Sequence, residues 1–226
     1  LTDVTGVQTC ALPIYNSITG NTLSVKSGAG ETADASGNWW GAVDPATVAV
    51  GFEGPVDYTP WLATGTDTDP IATGFQGSFG TLYVDDDSPQ AGSETRLIEA
   101  IGLVTSSTIY LTPGTYAEGP QVVIDSDLDI IGDASSTVTI VPTANTGSSG
   151  DARGWFLVQD GIALNMSKVT LDGDGFNVYQ GIRHKGSGFL DDIVFKNMIH
   201  PGYAGTAVAA FGSGVSVSII SSEERR

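Results

Sequence analysis

Apolar residues in this chain fall into short runs that alternate with polar ones, and turn-forming residues separate the runs. Thr81-Leu-Tyr-Val84, Thr108-Ile-Tyr-Leu111, Gln121-Val-Val-Ile124, Leu128-Asp-Ile-Ile131, Val138-Thr-Ile140, Trp155-Phe-Leu-Val158 and Ile162-Ala-Leu164 have this form, with Pro113-Gly114, Asp125-Ser-Asp127 and Gly132-Asp133 between some of them. Short β-branched and aromatic runs bounded by such residues predict strands. Val169-Thr-Leu171, Ile193-Val-Phe195 and Val217-Ser-Ile219 follow one another at intervals of 24, and Gly181 and Gly205 are also 24 apart. A strand-sized unit returning at a fixed interval predicts a solenoid in which each turn is one coil. Side chains alternate inward and outward and coils stack about 4.8 Å apart, so outward residues one period apart become neighbours. On this reading Ile182 and His184 point inward, Arg183 points outward, and Asp172 pairs with Lys196 on one face.

One window departs from this pattern. Ser93 to Val104 carries Leu97, Ile101 and Val104 at helical spacing behind a serine or threonine start, although Gly102 weakens the last turn. A helix just before a run of strands is suited to covering the first coil of a solenoid, whose core and strand edges are otherwise open. Earlier in the chain, Asn16 and Asn38 each adjoin a short apolar element, as expected of asparagines at coil corners. Trp39, Trp40, Tyr58 and Trp61, with Pro45, Pro55 and Pro60, then crowd together and read as a cap, or as a sugar-stacking platform. From Ala63 to Gly80 there is no periodicity, only Thr, Gly, Asp and Pro around Phe75 and Phe79, which marks a linker anchored by its two rings.

Two stretches carry a family resemblance. Asn38-Trp-Trp-Gly41 followed by Val56-Asp-Tyr-Thr-Pro-Trp-Leu62 resembles the terminal coil of right-handed parallel β-helix domains of secreted bacterial proteins. Thr108-Ile-Tyr-Leu-Thr-Pro-Gly-Thr-Tyr-Ala-Glu118, with Val122-Val-Ile124 and Leu128-Asp-Ile-Ile-Gly132, resembles the first coil of pectin-lyase-like β-helices. That group includes pectate lyases, pectin methylesterases and many non-enzymatic surface proteins. The resemblance implies an all-β right-handed parallel β-helix and an extracellular or cell-surface location, and it does not specify an activity. The expected organisation is the closing coils and cap of a first β-helix over residues 15–63, a linker over 64–80, and the cap and first coils of a second over 81–221.

Both ends look foreign to this pattern. Val4 to Ile14 resembles a translated sequencing adapter, and Ser222 to Arg226 resembles the opposite adapter. Residues 1–14 and 222–226 are therefore expected to be non-native, and the chain to be a piece of a larger exported protein. The single cysteine, Cys10, falls in the foreign part, so the remainder offers no disulfide and no thiolate metal ligand.

Composition sharpens this picture. The chain has 226 residues and 30 glycines, and only 8% of its residues are aromatic, in keeping with many tight turns around a modest core. With 26 acidic residues against 9 basic, the formal charge is −17. Phosphate backbones and anionic lipid are held by lysine and arginine, so the balance argues against nucleic acid and an anionic membrane surface. No apolar run reaches the roughly 20 residues of a membrane span.

Candidate chemistry is sparse. A lyase of this fold needs carboxylates that hold calcium and a lysine or arginine base, for which Asp172, Asp174, Asp191, Asp192, Arg183 and Lys196, with Lys185 nearby, are the candidates. Asp172-Gly-Asp174-Gly175 also reads as a plain turn. Asp191-Asp192 is similar to the paired aspartates of polygalacturonases, but the companion segments of that family are absent and adjacent strand residues face opposite sides. Asp85, Asp86 and Asp87 are candidate calcium ligands or a solvated turn, and calcium is the single cofactor the sequence suits. His184 and His200 are too few for a metal site. The expected function is a non-catalytic structural, carbohydrate-binding or surface-protein-binding module. The competing expectation is a fragment of a polysaccharide lyase or glycoside hydrolase whose catalytic coils lie elsewhere.

Overall fold

The computed structural model describes residues 15–105, 107–220 and 223–225. The adapter-like stretch Val4 to Ile14, with Cys10, lies outside the described residues, as do Ser222 and Arg226. The chain is a parallel β-solenoid of about 7 turns. It opens with the two-residue strands β1 (Val25–Lys26) and β2 (Ala33–Asp34), helix α1 (Pro45–Ala49), then β3 (Phe52–Glu53), β4 (Val56–Asp57) and β5 (Trp61–Leu62). β6 (Thr81–Val84) and helix α2 (Arg96–Leu103) follow. Four complete coils of three strands come next. They are β7 (Ser107–Leu111), β8 (Gly114–Glu118) and β9 (Val122–Ile124); β10 (Leu128–Gly132), β11 (Val138–Pro142) and β12 (Gly154–Val158); β13 (Ala163–Ser167), β14 (Thr170–Asp172) and β15 (Gln180–His184); and β16 (Ser187–Asp191), β17 (Val194–Lys196) and β18 (Thr206–Ala210). β19 (Ser216–Ile220) and β20 (Glu223–Arg225) belong to a further coil.

Stacked coils make three sheets, parallel except at the β5–β6 pair, around one main core. The first runs β19-β16-β13-β10-β7-β6-β5, the second β20-β17-β14-β11-β8 and the third β18-β15-β12-β9. Inward positions form columns of apolar side chains. In the first sheet Leu82, Ile109, Ile130, Met166 and Leu190 lie in register and are all buried. The same holds for Tyr116, Ile140, Leu171 and Phe195 in the second. In the third, Ile124, Val158 and His184 line up, so His184 is buried in the core and Arg183 faces outward, as the alternation predicts.

Part of the sequence repeat holds in space. Thr170 pairs with Val194 and Asp172 with Lys196, so the 24-residue interval from Val169 to Ile193 is one coil. The third member does not continue it. Val217 pairs with Gly188 in the first sheet, a different face from β14 and β17. Gly205 likewise misses Gly181, because Gln180 pairs with Thr206. The cause is that the loops around residues 199–205 and 211–215 lengthen this coil, and a fixed interval then slides off the register. A second lengthening, the loop before β12 with its short 3-10 turn at Gly150–Arg153, sets Leu128 against Leu164, 36 positions on.

The direction of stacking breaks once. β1 pairs with β3 and β2 with β4, all parallel, whereas β5 pairs with β6 antiparallel through Trp61–Tyr83 and Leu62–Leu82. This seam divides the solenoid into a shorter first stack and a longer second one. Trp40, Phe52, Tyr58, Trp61, Tyr83 and Tyr110 form a continuous chain of ring contacts across it, with centroids 4.9–6.1 Å apart. Asn38 is fully buried at a corner, where its amide donates to Ala35 O and its Oδ1 accepts Asn16 N–H. α2 packs on β6, β8 and β9 through Leu97 and Ala100, and covers the first complete coil. Among the described residues no helix is long and apolar enough to cross a membrane.

Candidate functional site

Strand alternation turns one row of side chains out of the first sheet in every coil. Thr108, Asp129, Asn165, Phe189 and Ser218 lie side by side in one outward column, and Tyr110, Ile131, Ser167, Asp191 and Ile220 in the next. Their middle part lines an open groove of about 340 Å³ with Asp129, Asn165, Phe189 and Asp191 among its walls. The Asn165 amide donates to Asp129 Oδ1 at 2.7 Å, which orients both groups along the groove. Phe189 is 41% exposed, so its ring meets solvent. Planar amide and carboxylate groups beside an exposed ring suit a polyhydroxylated ligand, which needs several donors and acceptors at one edge and an apolar C–H face.

The six residues singled out as catalytic candidates are spread around the prism. Asp191 belongs to the groove. Asp192 sits at the corner beyond it with Asp133 and Lys168, lining a separate shallow hollow of about 210 Å³. Lys168 and Asp192 occupy equivalent corner positions with φ of 58° and 53°, so this backbone strain belongs to the architecture of the corner. Asp172, Asp174 and Lys196 mark the corner after the second sheet. There Asp172 Oδ1 accepts Asn197 Nδ2 at 2.7 Å and Asp174 N–H at 3.1 Å. Asp172 lies in register with Lys196, but its hydrogen bond to that coil runs to the asparagine beside the lysine. Asp174, with φ of 43°, is exposed in the turn.

Arg183 lies on the third sheet. Its guanidinium donates to Asp151 Oδ1 at 3.0 Å and Gln180 Oε1 at 3.2 Å, and stacks over Phe211 at 4.2 Å. Lys185 is shared between Asp151 and Asp160 at 3.1 and 3.0 Å. Hydrogen bonds from Arg183 and Lys185 hold the Asp151 carboxyl below the usual carboxylate range. The two pairs with Asp151 pin the long loop before β12 to the sheet. Arg153 lies over Tyr179, which packs with His200 and Tyr203 beside that loop. His184 accepts Gly186 N–H at Nδ1, and burial pushes its imidazole pKa down.

Asp85, Asp86 and Asp87 do bring carboxylate oxygens within 4.8 Å of one another. Two of the three groups already have protein partners. Asp85 accepts from Tyr58 Oη, Thr112 Oγ1 and Asp87 N–H, and Asp86 from Thr115 N–H.

Sequence reading missed Asp129, Asn165, Ser167 and Phe189. The 24-residue interval links Asn165 to Phe189 and Ser167 to Asp191, and would have found those pairs had the first sheet been phased correctly. Asp129 was hidden by the long loop, which stretches its interval to 36. The buried carboxylates Asp57 and Glu118 give no local signal, because their partners are 21 to 34 residues away.

Comparison with protein-family models, with curated proteins and with solved structures gave no match.

Proposed function

We propose that the chain is a non-catalytic β-solenoid module of a larger exported protein, and that it binds carbohydrate along the outward face of its first sheet. The observation that carries this reading is the groove of Asp129, Asn165, Phe189 and Asp191, where an exposed ring adjoins oriented amide and carboxylate groups. Separation of Arg183 on the third sheet and Asp192 at another corner from the corner that holds Asp172, Asp174 and Lys196 supports a binding role over a catalytic one, since acid–base chemistry needs its groups within reach of one bond. Net charge of −17 favours neutral over anionic glycans.

Titration calorimetry against a panel of neutral oligosaccharides tests the proposal. Phe189→Ala is expected to weaken binding about tenfold, the equivalent of about 1.4 kcal/mol for a lost stacking contact, without shifting the thermal transition. Asn165→Ala should act similarly. Unchanged affinity in both variants would remove the groove from the reading, and turnover of any polysaccharide by the chain would overturn its non-catalytic part.

A further inference from the structure

The seam between the two stacks buries a carboxylate with no basic partner among the described residues. Asp57 of β4 is fully buried, and its Oδ2 accepts Ala91 N–H at 2.6 Å from the segment after β6. Ser88 Oγ, from the same segment, lies 3.2 Å from Asp57 Oδ1 and 3.2 Å from Pro89 O, and it accepts Tyr58 N–H at 3.0 Å. A hydroxyl has one proton, so it cannot donate fully to both oxygens. If Asp57 carries a proton, the conflict disappears. The acid O–H then donates to Ser88 Oγ, and Ser88 donates to Pro89 O. In that state all of these hydrogen bonds form at once.

The surrounding charges favour the same state. Asp34 lies in register with Asp57 on β2, Glu99 faces it from α2, and Glu94 lies with Asp34 and Glu99 around one pocket. Asp85 and Asp87 lie on the other side, beyond Tyr58. Arg96, at the start of α2, gives its guanidinium to Ser88 O. Burial, with the Glu99 and Asp34 charges adding to it and the Ala91 and Ser88 hydrogen bonds opposing it, pushes Asp57 up to about 7.

We propose that the seam is a proton-operated latch, in which one proton held between Asp57 and Ser88 locks the first stack onto the second and its loss loosens the contact. The closed latch holds that proton up to near neutral pH, whereas an exposed aspartate releases it near pH 4. Closed chains therefore bind more protons than open ones between about pH 4 and pH 7. Closure is strongest in acid, weakens through that window as pH rises, and levels off above it.

Hydrogen exchange on the intact chain, corrected for the intrinsic pH dependence of amide exchange, reads this directly. Protection of the amides of Tyr58 and Ala91 is expected to fall up to tenfold per pH unit between about pH 5 and pH 7 and then to level off. Asp57→Asn should flatten the dependence. Glu99→Gln, which leaves the socket intact and removes a like charge, should move the levelling point to lower pH and keeps the test valid if the asparagine variant does not fold. A flat wild-type profile, a slope that survives in Asp57→Asn, or a levelling point unmoved by Glu99→Gln would overturn the latch. None of these readouts depends on glycan binding.

Discussion

Replacing Glu118 should be the most damaging single change to a polar residue in the second stack. Its side chain is buried at the end of β8, beneath the N-terminus of α2. Thr95, the N-cap residue, makes no side-chain bond to its own helix and instead donates its hydroxyl to Glu118 Oε2, while Glu118 Oε1 accepts Leu97 N–H at 3.0 Å. A residue from a neighbouring strand thus performs the capping that the helix does not supply for itself, and its negative charge sits at the favourable end of the helix dipole. Glu118→Ala strips partners from the buried Leu97 amide, costing about 1–3 kcal/mol, and from the half-buried Thr95 hydroxyl, costing about 1 kcal/mol, and relieves the burial of one carboxylate. A net loss of about 3 kcal/mol follows, or about 6–12 °C in melting temperature for a chain of this size. Glu118→Gln keeps one acceptor and should lose about half as much.

The pH dependence of that loss is also fixed. Burial, partly offset by the bonds from Thr95 and Leu97, raises the Glu118 pKa, so the folded chain binds its proton more readily than the unfolded chain. Its contribution is fully present in acid and is lost as pH rises through the folded-state value, so the Glu118→Ala penalty should be larger at pH 5 than at pH 8. Urea denaturation of wild type, Glu118→Ala, Thr95→Val and the double variant measures both effects, with a coupling between the two sites above about 1 kcal/mol. A Glu118→Ala variant within 1 kcal/mol of wild type, or a penalty that grows with pH, would refute the reasoning.

Glycines supply a second test. A Cβ on Gly186 would meet Ile162 O at 1.9 Å, whereas one on Gly102 meets nothing within 4 Å, so Gly186→Ala should cost about 3 kcal/mol and Gly102→Ala should stabilise α2 by about 0.5–1 kcal/mol, both read by thermal unfolding. His184 provides a third. A histidine kept neutral by burial contributes stability above its unfolded pKa of about 6.5, and loses it as pH falls through the lower folded value. Core amides of the second stack should therefore lose protection below about pH 6 in wild type and keep it in His184→Leu.

Much of the fold was legible because inward positions repeat their chemistry. Leu82, Ile109, Ile130, Met166 and Leu190 differ in shape but share one role, and the runs containing the first three read as strands from their apolar residues and flanking turns alone. What misled was phase. Val217 looks like the successor of Val169 and Ile193, yet the lengthened coil before it moves it to another face, and sequence alone does not report the length of a loop that bulges outward. Strands such as β8 and β18 were harder to see because Gly114, Ala117 and Ala207 weaken the alternation. The groove was legible only in part. Asp191 stood out as a charge, but Asn165 and Phe189 gain meaning only from neighbours on adjacent coils. Asp57 and Glu118 were invisible for a related reason, since each is defined by a partner far away in the chain.

The antiparallel pairing of β5 with β6 has a consequence for how such chains can be assembled. In a parallel stack each coil hands its corner positions to the next, so an error in length or cross-section is inherited by every later coil. Two residues on each side of the seam, Trp61–Leu62 and Leu82–Tyr83, transmit almost none of that information. The longer stack starts its own pitch and corners from β6 and α2, independent of the two-residue strands that precede it. Segments of unlike coil geometry can therefore be joined end to end in one polypeptide, each free to vary in length without putting the other out of step.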